Sequence, residues 1–233
     1  MRDSPNALIV FDLDGTLVDA FGDIRAAVNH ALARREYPEH DHDAIHGMVG
    51  NGLRKLCERA LPTSAPEHSD AAAFEAFVAD TFAYYEAHPV DHARFFDGID
   101  VVLQKLRSWG FQLAVLSNKA HGLTTLVAEG TGLTPLVDFV VGAGAELNSQ
   151  EIPLKPDPGG IERLRQAAGT ERAVMVGDSL PDAEAARRAG VPFVGVNWGT
   201  GSRQELSAFG YVAKDTAELF GLIVVAANDP ATR

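Results

Sequence analysis

Five short apolar runs punctuate the chain: Ala7–Phe11, Gln112–Leu116, Phe139–Val141, Ala173–Val176 and Phe193–Val196. They are continuous rather than alternating, the pattern of strands covered on both faces of a parallel sheet. Helical patterns separate them. Ile99, Val102, Leu103, Leu106 and Trp109 recur every three or four residues before Gly110. Ile161, Leu164, Ala167 and Ala168 do the same before Gly169, and Asp182–Ala189 is closed by Gly190. A glycine just past the last periodic residue is a helix stop. Strand and helix alternate from Asp97 onward, which predicts crossover units, a Rossmann-like parallel sheet and an α/β fold.

The segment 21–89 breaks this alternation. It reads as helical throughout, with one apolar stripe at Ile45, Met48, Val49, Leu53, Leu56 and Ala60 and another at Phe74, Phe77, Val78, Phe82 and Tyr85. A turn-rich connector, Pro62–Ser69, lies between them. The expected organisation is an α/β core made of residues 1–20 and 90–233, with a small all-helical insert, 21–89, after the first strand. Both stripes are expected to pack. No internal repeat stands out, and a loose tail is expected from Asn228 to Arg233.

Composition narrows the function classes. A formal net charge of -12 argues against a nucleic-acid partner. It also means that any phosphorylated ligand needs local positive charge from a metal, a lysine or helix N-termini. Cys57 is the one cysteine, so no intrachain disulfide forms, and a reducing, cytoplasmic setting is expected. The run at Ala7–Phe11 lacks the basic flank and cleavage site of a leader, and no apolar stretch reaches the length of a membrane span.

Four places carry candidate chemistry. Asp12 and Asp14 follow the first strand, where ligands bind in an open parallel sheet. Two carboxylates so close resist joint ionisation unless a cation sits between them or one keeps a proton. By itself the pair is weak evidence, since it would also end a strand and cap a helix. Gly15 permits the tight turn. Asp178 leaves the Ala173–Val176 strand in the same way, and Asp182 follows behind Pro181. Asp182 also suits the dipole of the next helix. If these two strands are neighbours, Asp178 faces Asp12, and magnesium, which wants oxygen ligands, would suit the place between them. Ser117-Asn118-Lys119 stands at another strand exit, as a phosphoryl-holding element or an ordinary strand-to-helix turn. Lys155 lies between prolines in an extended segment and can be aimed, although a lone lysine is more often a solubility device.

In order and context, Asp12-x-Asp14-x-Thr16, Ser117, Lys155 and Gly177-Asp178-Ser179-x-x-Asp182 resemble the haloacid dehalogenase superfamily over essentially the whole chain. Asp14–Asp19, Val49–Gly52, Ser117–Lys119, Lys155–Pro158 and Gly195–Gly199 resemble its phosphoglycolate phosphatase branch. The resemblance implies that Asp12 is the nucleophile and becomes an aspartyl-phosphate. It implies that Asp14 serves the leaving oxygen and then activates water. Ser117 and Lys155 would hold the phosphoryl group, with Thr16 and Asn118 beside the substrate. Magnesium would be held by Asp12, the main-chain carbonyl of Asp14, Asp178 and, directly or through water, Asp182. True dehalogenases and ion-pumping ATPases lack the second aspartate, so Asp14 favours phosphate esters. The insert matches the family's helical cap, which excludes water from the first step.

The implied enzyme is a small-metabolite phosphatase, a monomer or homodimer, with 2-phosphoglycolate the first candidate. A sugar phosphatase, a pyrophosphatase and a beta-phosphoglucomutase are the alternatives. In the insert, Gly52 lies in a flexible loop and Arg54 is a candidate partner for a substrate carboxylate. The cluster His40-Asp41-His42-Asp43 with His46 reads as a polar connector in which Asp43 caps a helix. Cys57 reads as core. Gly142-Ala143-Gly144 lacks the third glycine of a dinucleotide fingerprint. Trp198 reads as packing, with a substrate contact open.

Overall fold

The chain is seen in a computed structural model that describes residues 7–229. The first apolar run forms β1 (Leu8–Phe11), and β2 (Val18–Asp19) follows it. Four helices come next: α1 (Phe21–Ala33), α2 (His42–His46), α3 (Leu53–Ala60) and α4 (Ala71–Ala87). β3 (Arg94–Phe95) then runs antiparallel to β2. The chain continues through α5 (Ile99–Ser108), β4 (Gln112–Ala120), α6 (His121–Gly130) and β5 (Phe139–Ala143). A small hairpin, β6 (Glu146–Leu147) and β7 (Gln150–Glu151), precedes α7 (Gly159–Ala168), β8 (Ala173–Gly177) and α8 (Leu180–Ala189). The last elements are β9 (Phe193–Val196), α9 (Arg203–Leu206), β10 (Tyr211–Ala213) and α10 (Thr216–Ala227). The tail expected from Asn228 falls mostly on residues 230–233, outside the described residues. No helix of the described residues is long and apolar enough to cross a membrane.

Six parallel strands form the main sheet in the order β10-β9-β8-β1-β4-β5. The chain leaves β1 towards β4 and β5 on one side, then crosses to β8, β9 and β10 on the other. The order therefore reverses between β1 and β8, and such a switch point opens a crevice beyond the strand ends. β10 is a strand that hydropathy did not signal, because Tyr211-Val212-Ala213 is too short to stand out as a run.

Strand periodicity divides the core into two layers. Ile9, Phe11, Leu113, Val115, Val174 and Val176 point to one face, where α5, α6 and α10 bring Leu103, Val127 and Ile223. Leu8, Val10, Ala114, Leu116, Ala173 and Met175 point to the other, towards Ile161 and Leu164 of α7 and Ala186 of α8. Every side chain of β1 is buried, which is why its run is continuous.

The helical segment leaves and rejoins the core through β2 and β3. Asp23 of α1 locks the return, accepting hydrogen bonds from the backbone N–H of His92 (2.9 Å) and Ala93 (2.8 Å). The first expected stripe is split between α2 and α3 by Gly50 and Gly52, both at positive φ. The helix cap is Asp41 rather than Asp43: its Oδ1 accepts from Ala44 N at 2.9 Å. The helix begins at His42, so Asp43 already lies in its first turn. The His42 and His46 rings lie near Phe21, and His40 Nε2 is 2.8 Å from Ala60 O. In α4 the most buried line is Phe77, Thr81 and Tyr85. Cys57 is buried as expected, and burial pushes its thiol up to about 11.

Candidate active site

The site is assembled at the carboxyl ends of β1, β4 and β8. Asp12 N donates to Val176 O at 2.9 Å, carrying the β1–β8 pairing one residue past the strand. This places Asp12 beside Asp178. Carboxylate oxygens of Asp12, Asp178 and Asp182 lie within 4.8 Å of one another, and all three residues are buried. Gly15 makes the approach possible: its φ is +86°, and a Cβ there would stand 2.6 Å from an oxygen of Asp178.

Each carboxylate is held. Asp178 Oδ1 accepts from Thr16 Oγ1 at 3.0 Å, and its Oδ2 accepts from Thr200 N (2.7 Å) and Oγ1 (2.8 Å). Asp182 closes a capping box at the start of α8, its Oδ2 accepting from Ser179 N and Oγ. Lys155 Nζ donates to Asp12 Oδ1 at 2.5 Å and to Asp182 Oδ1 at 2.6 Å. Its backbone is clamped by Asn118, whose Oδ1 accepts from Lys155 N (2.7 Å) and whose Nδ2 donates to Lys155 O (2.9 Å). Lys155 sits in a turn with a cis bond to Pro156, not in the extended segment expected.

β4 also differs from expectation. It runs on to Ala120, so Ser117, Asn118 and Lys119 belong to the strand rather than to a turn. The pairing with β5 continues past Leu116 and shifts register between Ser117 and Ala120. Lys119 is consequently buried, its Nζ donating to Asp14 Oδ1 at 2.7 Å and to the Tyr85 hydroxyl of α4 at 2.5 Å.

Electrostatics follow from this crowding. Burial is the largest cause that raises the Asp12 carboxyl; Lys155 opposes it, while Asp182 and Asp178 add to it. Burial and then Asp182 push Asp178 up to about 6, against the hydrogen bonds from Thr200 and Thr16. Burial works against the Lys155 ammonium, yet Asp12 and Asp182 outweigh it and hold that group above its ordinary value. Lys119 is held up in the same way, against burial, by Asp14 and Tyr85. Four carboxylates, Asp12, Asp14, Asp178 and Asp182, thus face two ammonium groups, Lys119 and Lys155. With all four ionised, two negative charges are left uncompensated around an all-oxygen donor set, which suits a divalent cation such as magnesium.

A cavity of about 50 Å³ opens above Asp12 and Asp14. Its floor is Ser117, Asn118 and Lys119, and its walls are apolar: Ile24, Val49, Leu53, Leu56 and Leu123. Gly52 also lines it. Arg54 is not brought to it: the guanidinium makes a two-pronged pair with Glu75 and lies 5.0 Å from the centre of the Phe74 ring. Thr16 holds Asp178 and is not among the residues that line this cavity. Trp198 donates from Nε1 to Thr16 O at 3.1 Å and so braces that loop.

Three participants escaped sequence reasoning. Lys119 had a usable signal, two positions beyond Ser117 in a strand that continues. Tyr85 had a fainter one, as a polar tip on a buried stripe together with Thr81. Thr200 had none, since it reaches Asp178 only through the fold.

Comparison with known proteins places the sequence and the fold. The family model described as haloacid dehalogenase-like hydrolase matches residues 9–196. A phosphoglycolate phosphatase of Caulobacter vibrioides is 37% identical over 201 residues, covering 85% of this chain and 82% of its own. Another, of Rhodospirillum rubrum, is 34% identical over 211 residues, covering 88% and 85%. A crystal structure described as a predicted phosphoglycolate phosphatase from Haemophilus somnus superposes with a TM-score of 0.80 at 26% identity, covering 92% of this chain and 96% of that one.

Proposed function

Because this chain belongs to the haloacid dehalogenase-like hydrolases, we propose that it is a magnesium-dependent phosphatase that hydrolyses a small phosphate monoester, 2-phosphoglycolate first, by way of a phosphoryl group carried on Asp12. The observation that carries this reading is the meeting of Asp12, Asp178 and Lys155 at the switch point of the sheet. The cavity beside Asp12 and Asp14, with Lys119 on its floor and apolar walls, suits a leaving group that carries a small polar end.

Lys155 holds Asp12 by Oδ1, and Oδ2 carries no hydrogen bond among the described residues. Oδ2 is therefore the attacking oxygen. As its bond to phosphorus forms, the ester P–O bond breaks and Asp14 gives a proton to the departing oxygen. Water then attacks the phosphorus of the aspartyl-phosphate, Asp14 takes a proton from it, and Asp12 is released with inorganic phosphate. Splitting the displacement in this way replaces one hard step by two easier ones. Lys155 and the Ser117 hydroxyl would hold the phosphoryl oxygens, and such positioning with charge stabilisation is most of what phosphoryl transfer needs. Magnesium, when bound, supplies the remaining positive charge. Asp12, Asp178 and the main-chain carbonyl of Asp14 would hold it. Both oxygens of Asp182 are engaged, by Lys155 and Ser179, so its part is to aim Lys155 and to reach the ion through water.

The test is release of phosphate from 2-phosphoglycolate, with and without magnesium, by the wild type and by Asp12→Asn. Turnover should require magnesium and fall by at least about a thousandfold in the variant. Equal turnover by both proteins would remove Asp12 from the reaction.

A further inference from the structure

An anionic leaving group needs a cation where it is buried, because an unpaired charge in an apolar cavity carries a large desolvation cost. Arg54, the residue that sequence alone offered for this task, is turned away and paired with Glu75. Among the side chains that line the cavity, one is basic: Lys119. Its ammonium has three N–H donors. Two are used, by Asp14 Oδ1 and by the Tyr85 hydroxyl, and no third acceptor lies in range among the described residues. The group is deeply buried, its side chain retaining 6% exposure, so a third partner can arrive only from within the cavity. Tyr85 fixes the direction, since its own side chain is fully packed in α4. The N-terminus of α3 faces the same space: Gly52 gives it no capping side chain, and Gly52 and Leu53 line the cavity.

We propose that Lys119 is the residue that selects the substrate: its free N–H receives a carboxylate on the leaving group, with Tyr85 as the positioning residue that aims it. The substrate class is a short phosphate ester with a carboxylate one or two carbons from the ester oxygen. A longer chain meets the apolar wall of Leu53, Leu56 and Leu123, an apolar end leaves the third N–H without a partner, and a neutral polar end gives it only an uncharged acceptor. This inference rests on the reading of Asp12 as nucleophile, which puts the leaving group in this cavity.

The experiment compares kcat/KM for 2-phosphoglycolate and for its amide, 2-phosphoglycolamide, in the wild type, Lys119→Met, Tyr85→Phe and Arg54→Ala. The amide lacks the charge and replaces one acceptor oxygen by an NH2 group, while its carbonyl oxygen keeps a neutral acceptor. Both esters need a proton from Asp14 on the same leaving oxygen, so a disturbance of Asp14 by the substitutions lowers both rates and largely drops out of the ratio. The wild type should prefer the carboxylate by about tenfold to a hundredfold, the range for a charge-assisted hydrogen bond. In Lys119→Met the preference should fall to within about threefold of unity, chiefly through KM for the carboxylate. Tyr85→Phe keeps the charge but loses its guide, and the ratio should fall about threefold to tenfold. Arg54→Ala should keep the wild-type ratio. An undiminished preference in Lys119→Met, or its collapse in Arg54→Ala, overturns the assignment. If Lys119→Met does not fold, Tyr85→Phe decides, and an unchanged ratio there overturns it too. Failure of the wild type to hydrolyse either ester, or turnover by Asp12→Asn, defeats the phosphatase reading and this inference with it. A clear wild-type preference that Lys119→Met retains defeats this inference alone.

Discussion

The strand ends and the helical segment contribute to one cavity by different rules. Asp12, Ser117 and Asp178 arrive there because parallel strands in register carry them, and the backbone ladder fixes their spacing before any side chain is chosen. Val49, Leu53, Leu56 and Tyr85 arrive because helices pack, and packing admits many side chains at one position. A change at a strand end should therefore remove chemistry and leave the fold, whereas a change among the helices should remove stability or selectivity and leave the chemistry.

Asp178→Asn breaks this comparison most sharply if it is wrong. The carboxylate faces Asp12 and is held by Thr16 and Thr200, contacts that an amide partly keeps. We expect kcat/KM to fall by about a hundredfold to a thousandfold, the scale of losing one preorganised charge-stabilising group, with a circular dichroism spectrum like the wild type's. Restoration by excess magnesium would fit lost metal affinity. Wild-type activity at ordinary magnesium would show that the strand end carries no chemistry.

In the helices the matching change is Phe77→Ala. Phe77 is fully buried in α4, and the Arg35 guanidinium lies 5.1 Å from its ring centre. Truncation should cost about 3–5 kcal/mol in denaturant unfolding. A loss under about 1 kcal/mol would mean that the helical segment does not unfold with the rest.

The smallest expected effect concerns pH. Asp178 titrates at about 6 in the protein, raised by burial and by Asp182, against about 3.9 in an unfolded chain. Between those values the native state holds more protons than the unfolded one. The stability that this group contributes therefore declines as pH rises through that window and stays reduced above it. In chelator, the melting temperature of the wild type should drop relative to Asp178→Asn, by a few degrees, between about pH 4 and about pH 7. Magnesium should recover the difference at the higher pH and do little at the lower one. A difference that does not change with pH would deny the carboxylate crowding.

The same division explains what could be read in the sequence. Asp12, Asp14 and Asp178 were legible because continuous runs mark buried strands and the residues after them stand at the ligand-binding edge; Lys155 follows no such run and took its role only from the family resemblance. Thr16 was visible but its partner was not, since the hydrogen bond to Asp178 spans 162 residues. β4 was read too short because Ser117-Asn118-Lys119 is polar, and polarity in a strand normally marks its end; here these side chains point into a site. Tyr85 was read as packing because its stripe has helical spacing, and the polar tip on that buried stripe was too faint a mark to assign it a partner. Arg54 carried an attractive chemistry in a plausible place, yet Glu75 lies on the neighbouring α4 and claims it.

All of this turns on Asp12 as the nucleophile. Rapid acid quench during turnover of 2-phosphoglycolate, reduction with borohydride and peptide mass spectrometry would show which carboxylate carries the phosphoryl group. The account predicts reduction of the acyl phosphate to homoserine at position 12 and at no other aspartate. An unmodified position 12 with phosphate released in the same turnover would contradict it.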